Sequence, residues 1–177
     1  VIRKKSSSGL ILFSTGTTGR PKAILHDFEP FLKRFETPRP TLRTLNFLLF
    51  DHIGGLNTLF HTLFNKGVVI APKDRSTKEI LDLCHRYKVE ALPTTPTFLR
   101  MLLLSGELKE KFPKSIKIVT YGTERMDQPT LDELCYILPD VDFRQTFGMS
   151  ELGILRVKSE SRDSLFMKVG GEGVETR

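Results

Sequence analysis

The chain has 177 residues, of which 39% are hydrophobic and 27% charged, and this predicts one folded domain with a substantial core. No apolar run reaches the roughly 18–20 residues that a membrane span requires, so we expect no membrane span. The net charge of +6 permits nucleic-acid binding, yet the basic residues are dispersed among acidic ones and only Arg3-Lys4-Lys5 forms a run. We therefore interpret the charge as a solvated surface and expect no nucleic-acid partner.

The two cysteines, Cys84 and Cys135, fall in helix-like segments and form no Cys-x-x-Cys pair. His85 adjoins Cys84, a spacing that suits no usual zinc site, so we expect reduced cysteines that serve in packing. No secretory signal pattern is visible at the start, the first residue is Val, and the glycine-rich stretch 169–177 looks cut in mid-pattern. We therefore expect a cytoplasmic protein, of which this chain is a fragment.

Hydrophobic periodicity and turn signals divide the chain into alternating strands and helices. The predicted strands, in chain order, are 10–13, 44–50, 68–71, 89–92, 116–120 and 141–146, followed by a hairpin of 154–157 and 165–169. The predicted helices are part of 23–35, then 56–64, 77–84, 98–104 and 128–138. Such alternation implies crossover connections, and hence an α/β fold with a largely parallel sheet covered by helices.

Two of these helices carry explicit start signals. Ser76 followed by Glu79 forms a capping box, in which each residue satisfies a backbone amide of the other. Asp127 precedes a helix with Pro129 in its first turn, where a missing amide proton costs nothing. Both patterns predict the first turn of a helix.

Residues 14–22, with the sequence Ser-Thr-Gly-Thr-Thr-Gly-Arg-Pro-Lys, follow the first apolar strand. Glycines let backbone amides face a ligand, the hydroxyls add donors and Lys22 adds a positive charge, a combination that favours an anion such as polyphosphate. Gly19 is followed by Arg20, so the stretch lacks the Gly-Lys-Ser/Thr of a Walker A loop. A flexible Gly/Thr turn between two elements is the structural alternative.

Three further polar stretches that contain glycine follow predicted strands, at 51–55, 121–124 and 147–151. Ligands of open parallel sheets collect beyond the carboxyl ends of the strands, so these stretches and residues 14–22 predict one composite site. Taken singly, each has an ordinary explanation.

His52 alone is explained as a polar residue at a strand end, and Glu124 as an acid at a helix start. Phe147 alone is explained as a core side chain, and Glu151 as a surface acid. It is the order of the four stretches along the chain that favours a functional interpretation.

The stretch 14–22 resembles the phosphate-loop signature of the adenylate-forming (AMP-binding) superfamily, which includes acyl- and aryl-CoA synthetases, nonribosomal peptide adenylation domains and firefly luciferase. Residues 147–151, Phe-Gly-Met-Ser-Glu, resemble its second signature. Residues 121–124 fall where the family has a glycine-rich segment that contacts adenine, and His52 falls where it has a histidine near the acyl pocket. The resemblance covers essentially the whole chain.

The resemblance implies a reaction in which ATP and a small-molecule carboxylic acid give an acyl-adenylate and pyrophosphate. A thiol, either coenzyme A or another thiol carrier, would then take the acyl group. Attack of a carboxylate on the α-phosphate brings two anions together, so cations and amide donors must offset their repulsion. The implied cofactors are ATP and Mg²⁺, with coenzyme A as co-substrate.

By the same resemblance, Lys22, His52 and Glu151 are expected to be catalytic, and Glu151 to bind Mg²⁺, a cation that prefers oxygen ligands. Ser150 would reach the α-phosphate and Phe147 would pack on adenine. The residues expected to bind ATP or AMP are Ser14, Thr15, Gly16, Thr17, Thr18, Gly19, Lys22, Gly122, Thr123, Glu124, Phe147, Gly148, Met149, Ser150 and Glu151.

The chain departs from the family pattern at a few positions. Ala23 stands where the family usually has Gly, and Phe147 and Ser150 stand where it usually has Tyr and Thr. The family's ribose-binding Asp and the small C-terminal domain with a catalytic Lys would lie beyond Arg177. We therefore expect 1–177 to be a fragment of the large AMP-binding domain, without the C-terminal catalytic-lysine domain and incompetent alone.

Two alternatives belong to other functional classes. One is a nucleotide-binding module without catalysis, which would bind adenylates through Lys22 and never turn over. The other is a basic nucleic-acid-binding domain, whose affinity would fall steeply with salt. The dispersed basic residues and the absence of Trp disfavour the second alternative.

Overall fold

The computed structural model describes residues 8–15, 21–106 and 108–170, with the backbone alone at positions 14 and 15. The strands are β1 Gly9–Thr15, β2 Pro21–Asp27, β3 Arg43–Leu45, β4 Val68–Ile70, β5 Ala91–Thr94, β6 Ile118–Tyr121, β7 Asp142–Gln145, β8 Gly148–Met149, β9 Gly153–Ile154, β10 Arg156–Ser159 and β11 Met167–Gly170. The helices are α1 Phe28–Lys33, α2 Ile53–Phe64, α3 Thr77–Arg86, α4 Pro96–Leu104, α5 Leu108–Lys111 and α6 Gln128–Ile137.

Five strands form a central sheet in the order β4-β3-β5-β6-β7, and every neighbouring pair in it is parallel. The crossovers contain α2, α3, the α4–α5 pair and α6, in chain order. The predicted α/β class with a largely parallel sheet is therefore confirmed. None of the helices in the described ranges has the length and the apolar character that a bilayer crossing needs.

The main core lies between this sheet and its helices. Leu92 and Val119 of the strands are fully buried, as are Leu131 and Leu134 of the predicted apolar stripe on α6. Cys84 is buried in the same cluster, and burial raises the pKa of its thiol to about 12. A thiol of that kind stays protonated at neutral pH and acts in packing.

Both predicted helix starts are present. The Ser76 hydroxyl accepts a hydrogen bond from the amide of Glu79 at 3.2 Å, and Asp127 Oδ1 accepts one from the amide of Thr130 at 2.9 Å. The other half of the expected capping box differs, because the amide of Ser76 donates to Asp74 Oδ1 at 2.8 Å. Asp74 therefore accepts the hydrogen bond that the capping-box pattern assigned to the carboxylate of Glu79.

The helix predicted within 23–35 is short, because most of that segment is β2. β2 pairs with β1 along its whole length in an antiparallel hairpin, from Gly9 opposite Asp27 to Thr15 opposite Pro21. The backbone groups of this segment thus find partners in the preceding strand rather than within a helix. Positions 14–15 and 21–22 of the stretch 14–22 consequently belong to paired antiparallel strands.

The strand predicted at 44–50 is also shorter and ends at Leu45. Asn46 is buried and its side-chain amide donates to the carbonyl of Leu48 at 2.8 Å, while Phe47 donates to the carbonyl of Leu45 at 3.0 Å. These local hydrogen bonds turn the chain out of the sheet, as Asn side chains commonly do.

The β1–β2 hairpin and α1 attach to α2 through a second apolar cluster. Leu12, Phe31, Phe35 and Ile53 are its buried members. The Phe31 and Phe35 rings meet edge to face at 5.5 Å, and Phe31 contacts Phe60 of α2 in the same way at 5.9 Å. This aromatic packing fixes the hairpin beside the sheet.

Candidate functional site

A cleft of about 190 Å³ opens beyond the carboxyl ends of β5, β6 and β7, against the start of α2 and the β8–β9 hairpin. Its position agrees with the expectation for an open parallel sheet. Three of the four predicted polar stretches contribute to its lining. The predicted site residues that line the cleft are His52, Gly122, Thr123, Gly148, Met149 and Ser150.

His52 enters the cleft as the residue that caps α2. Its Nδ1 accepts a hydrogen bond from the amide of Gly54 at 3.0 Å. Because Nδ1 accepts, the neutral ring carries its proton on Nε2. His52 can therefore cap α2 with Nδ1 and donate a hydrogen bond from Nε2.

The two glycines after His52 let α2 start close to the preceding turn. A Cβ on Gly55 would collide with the carbonyl of Leu49, and one on Gly54 would lie 2.6 Å from Leu48 Cδ1. Larger residues here would push α2 away from the turn, and with it the ring of His52. The absence of side chains at Gly54 and Gly55 thus keeps the start of α2, and with it the wall of the cleft, in place.

Gly122 lies at the end of β6, where the chain runs tightly beside β7. A Cβ on Gly122 would collide with the hydroxyl of Thr146, whose amide donates to the carbonyl of Tyr121 at 2.7 Å. Thr123 follows with a φ of 67°, a left-handed conformation that costs a β-branched residue on the order of 1–3 kcal/mol. This strained turn forms one edge of the cleft.

The four remaining predicted residues with described side chains lie outside the lining of this cleft. Lys22 is exposed on β2, opposite Ser14 of β1. Phe147 is 40% exposed, which does not fit the alternative of a core side chain. Glu151 is exposed in the turn that joins β8 and β9.

The fourth, Glu124, has a partner in another element. Its Oε2 accepts hydrogen bonds from the amide of Thr97 at 3.0 Å and from the Thr97 hydroxyl. Thr97 lies in the first turn of α4, where backbone amides have no partner within the helix. The carboxylate therefore accepts a hydrogen bond from one of these amides, and its negative charge interacts favourably with the helix dipole. The helix-start explanation thus has structural support, although it concerns α4 and not the helix that follows Glu124 in sequence.

Part of the predicted phosphate loop, Gly16, Thr17, Thr18 and Gly19, lies outside the described residues. The backbone of Ser14 and Thr15 belongs to β1, opposite Lys22 and Pro21 of β2. The two ends of the loop are therefore neighbours across a hairpin.

A family model described as AMP-binding enzyme matches residues 2–171 of the chain. The chain belongs to the AMP-binding enzyme family. The resemblance drawn from the four motifs is thereby confirmed.

Individual relatives agree with this assignment. The 4-coumarate--CoA ligase-like 6 of Arabidopsis thaliana is 27% identical over 162 residues, which are 84% of this chain and 28% of that protein. The 2-succinylbenzoate--CoA ligase of Bacillus velezensis is 26% identical over 129 residues, 70% of this chain and 26% of that protein. The chain thus spans less than a third of these two relatives.

A solved structure gives the same result for the fold. The luciferase-like enzyme from the nonluminescent Zophobas morio mealworm superposes with a TM-score of 0.71 and 26% identity. The match covers 82% of this chain and 35% of the mealworm enzyme.

In this AMP-binding chain, one contact joins the β1–β2 hairpin to the second signature. His26 Nε2 lies 2.6 Å from the carbonyl oxygen of Ser150, and because a carbonyl only accepts, the imidazole donates. His26 is four residues beyond Lys22 on β2. Sequence reasoning missed this positioning role, since His26 belongs to none of the motifs.

Thr94 is another cleft residue that the motifs missed. It is 2% exposed, lines the cleft at the end of β5, and its hydroxyl has no hydrogen-bond partner among the described residues. A buried hydroxyl without a partner is uncommon, and a ligand in the cleft would supply one. The sequence placed Thr94 between the predicted strand 89–92 and the predicted helix 98–104, and in none of the motifs.

The expected Mg²⁺ site can be compared only with the carboxylates of the described residues. Within the described ranges, no three His, Cys, Asp or Glu side chains come together as a metal site. Mg²⁺ in nucleotide sites commonly takes one or two carboxylates and completes its shell with phosphates and water. The exposed carboxylate of Glu151 is compatible with that arrangement.

Proposed function

We propose that the natural protein containing this chain activates a carboxylic acid with ATP and passes the acyl group to a thiol, with coenzyme A as the acceptor. In the first step a carboxylate oxygen bonds to the α-phosphorus, the bond to the β-phosphate oxygen breaks, and pyrophosphate leaves. In the second step the thiolate attacks the acyl carbon and AMP leaves. The observation that carries this proposal is the cleft that joins His52 to the segments 122–123 and 148–150.

The proposed roles follow from charge and position. Lys22 and the backbone amides of the 14–19 loop would hold the β- and γ-phosphates, and Ser150 would meet the α-phosphate. His52 would donate from Nε2 to an acid oxygen and so orient the carboxylate. Glu151 would hold Mg²⁺, while Phe147 would stack on adenine from its exposed position.

Nearby groups give this proposal further support. The Thr94 hydroxyl offers the cleft a donor without a partner among the described residues, and the His26 contact to the Ser150 carbonyl holds the hairpin near the proposed α-phosphate position. A donor set of hydroxyls, imidazole and amides suits anionic phosphates and carboxylates.

The test is carboxylate-dependent ATP–pyrophosphate exchange by the natural protein with a panel of aromatic, aliphatic and dicarboxylic acids. We expect at least one acid to support exchange, and Lys22→Ala to reduce it roughly a hundredfold. Lys78→Ala, an exposed lysine of α3, serves as the matched control and should leave exchange unchanged.

Two results would count against the proposal. A folded protein that supports no exchange with any acid contradicts it. Nucleotide binding that depends on Lys22 without exchange would instead favour the module that binds nucleotides without catalysis.

A further inference from the structure

A second cavity, of about 600 Å³, adjoins the cleft and has a strongly basic lining. Four arginines and one histidine face it, and the described lining contains no Asp or Glu. The basic residues are Arg34, Arg39, His61, Arg144 and Arg156. A concave surface with one sign of charge concentrates ligands of the opposite sign.

The cavity and the cleft lie next to each other along α2. Asn57 and Ile154 line both spaces, and His52 lines the cleft while His61 lines the cavity. At 1.5 Å per residue, the step of nine residues from His52 to His61 corresponds to roughly 13 Å along the helix. A ligand with one end at His52 could thus extend past Asn57 into the basic cavity.

Arg34 is held in place by two contacts. Its guanidinium lies over the Phe31 ring at 5.4 Å, and Nη1 donates to the carbonyl of Leu152 at 3.5 Å. Gly153 has a φ of +77°, and a Cβ there would collide with the same Nη1. The glycine therefore leaves space for the guanidinium beside β9.

The remaining arginines differ in how far their charge is neutralised. Arg144 pairs with Asp142 at 2.6 Å, which reduces its pull on a ligand. The guanidinium groups of Arg39 and Arg156 have no hydrogen-bond or ion-pair partner in the described part of the chain. Burial and the charge of Arg39 lower the pKa of His61, so the ring is neutral at pH 7 and adds a hydrogen-bonding group.

We propose that the acid activated by this protein carries a second carboxylate, which the basic cavity binds through Arg39 and Arg156. The inference rests on the proposed function, because the first carboxylate must lie in the cleft near His52. Extended chains cover roughly 3.5 Å for every three bonds, so about ten to twelve bonds span the distance between the histidines. The substrate class is therefore an elongated dicarboxylic acid.

The experiment compares α,ω-dicarboxylates and monocarboxylates, each of about eight to twelve carbons, in ATP–pyrophosphate exchange by the natural protein. We expect the dicarboxylate to have the lower KM at matched length. Arg39→Gln and Arg156→Gln should each raise the dicarboxylate KM roughly tenfold to a hundredfold, while the KM values for ATP and the monocarboxylate stay unchanged. Arg39→Lys should restore part of the preference.

Arg86→Gln, on α3 and outside the cavity, is the matched control and should leave both KM values as they are. Equal KM values for the two acid series, with exchange intact, overturn this inference and leave the proposed function standing. Arginine variants that raise the KM for coenzyme A in thioester formation, and not the KM for the acid, also overturn it. Absence of exchange with every acid overturns the proposed function and this inference together.

Discussion

At the scale of single residues, His52 combines a structural and a proposed chemical task. Its Nδ1 caps α2, and its Nε2 carries the proton that would meet the substrate carboxylate. Asn is among the best capping residues, so a change to Asn separates the two tasks, whereas a change to Ala removes both.

We predict that His52→Asn keeps the free energy of unfolding near the wild-type value but reduces ATP–pyrophosphate exchange about tenfold or more, because the donor at Nε2 is lost. His52→Ala should reduce exchange similarly and also lower the free energy of unfolding by about 1 kcal/mol. Urea unfolding and exchange rates measured on both variants check this. Full exchange activity in His52→Asn would exclude the proposed role of Nε2.

Gly122 offers a second test at this scale, because the Thr146 hydroxyl occupies the place of its missing Cβ. We predict that Gly122→Ala lowers the free energy of unfolding by about 1–3 kcal/mol through overpacking, and that adding Thr146→Ala recovers part of this loss. Gly170→Ala is the control, since nothing lies within 4 Å of the position that its Cβ would take. Equal stability of Gly122→Ala and Gly170→Ala in thermal unfolding would contradict the close approach of β6 and β7.

Several residues that the sequence singled out line the cleft, and the contacts that it did not predict have physical causes. The motifs identified His52, Gly122 and Ser150, all of which line the cleft, because local sequence encodes these turns. The motifs could not predict the hydrogen bond between Glu124 and Thr97 or the one between His26 and Ser150, because each joins segments that are far apart in the chain.

At the scale of elements, the start of α6 depends on Asp127. Its Oδ1 accepts from the Thr130 amide at 2.9 Å, and its Oδ2 pairs with Arg100 at 2.8 Å. The hydrogen bonds from Thr130 and then from Arg100 hold the pKa of this carboxyl well below its usual range. A group whose pKa falls on folding stabilises the protein above its unfolded pKa, and this contribution is lost as the pH falls through the folded value.

We predict that the urea midpoints of wild type and Asp127→Asn differ most near neutral pH and converge as the pH falls below about 4. Asn retains the capping oxygen, so the difference reports the charge. The same comparison in an Arg100→Gln background should give a smaller difference at neutral pH. A midpoint difference that does not depend on pH would show that these bonds do not persist in solution.

Element types followed from periodicity more reliably than element ends did. α2, α3 and α6 were predicted because their apolar stripes are local, as are the start signals of α3 and α6, whereas α2 begins three residues before its predicted start. β5 was expected to end before Pro93 but continues to Thr94, because it pairs with β6 as far as Thr94 opposite Tyr121, whereas its pairing with β3 is limited to Ala91. A proline is tolerated at a strand position whose amide has no strand neighbour to bond.

At the scale of the whole molecule, the proposed site depends on the β1–β2 hairpin staying beside the central sheet. The aromatic cluster around Phe31 attaches the hairpin to α2, and the bond from His26 to the Ser150 carbonyl attaches it to the segment after β7. Periodicity could predict the sheet and its helices, but not this docking, because side chains from distant segments create it.

We predict that His26→Ala raises the KM for ATP about threefold to tenfold in the exchange assay of the natural protein, because the loss of one hydrogen bond loosens the hairpin that carries Lys22. Hydrogen exchange of the amides in 21–27 should quicken at the same time, since the strand opens more easily. His85→Ala is a matched control: its Nε2 makes the same kind of bond to the Lys111 carbonyl at 2.8 Å, on the surface away from the cleft. His26→Ala could instead leave the KM for ATP unchanged while hydrogen exchange of the amides in 21–27 becomes faster. Docking of the hairpin would then not affect nucleotide binding, which would contradict the proposed contact of Lys22 with the phosphates.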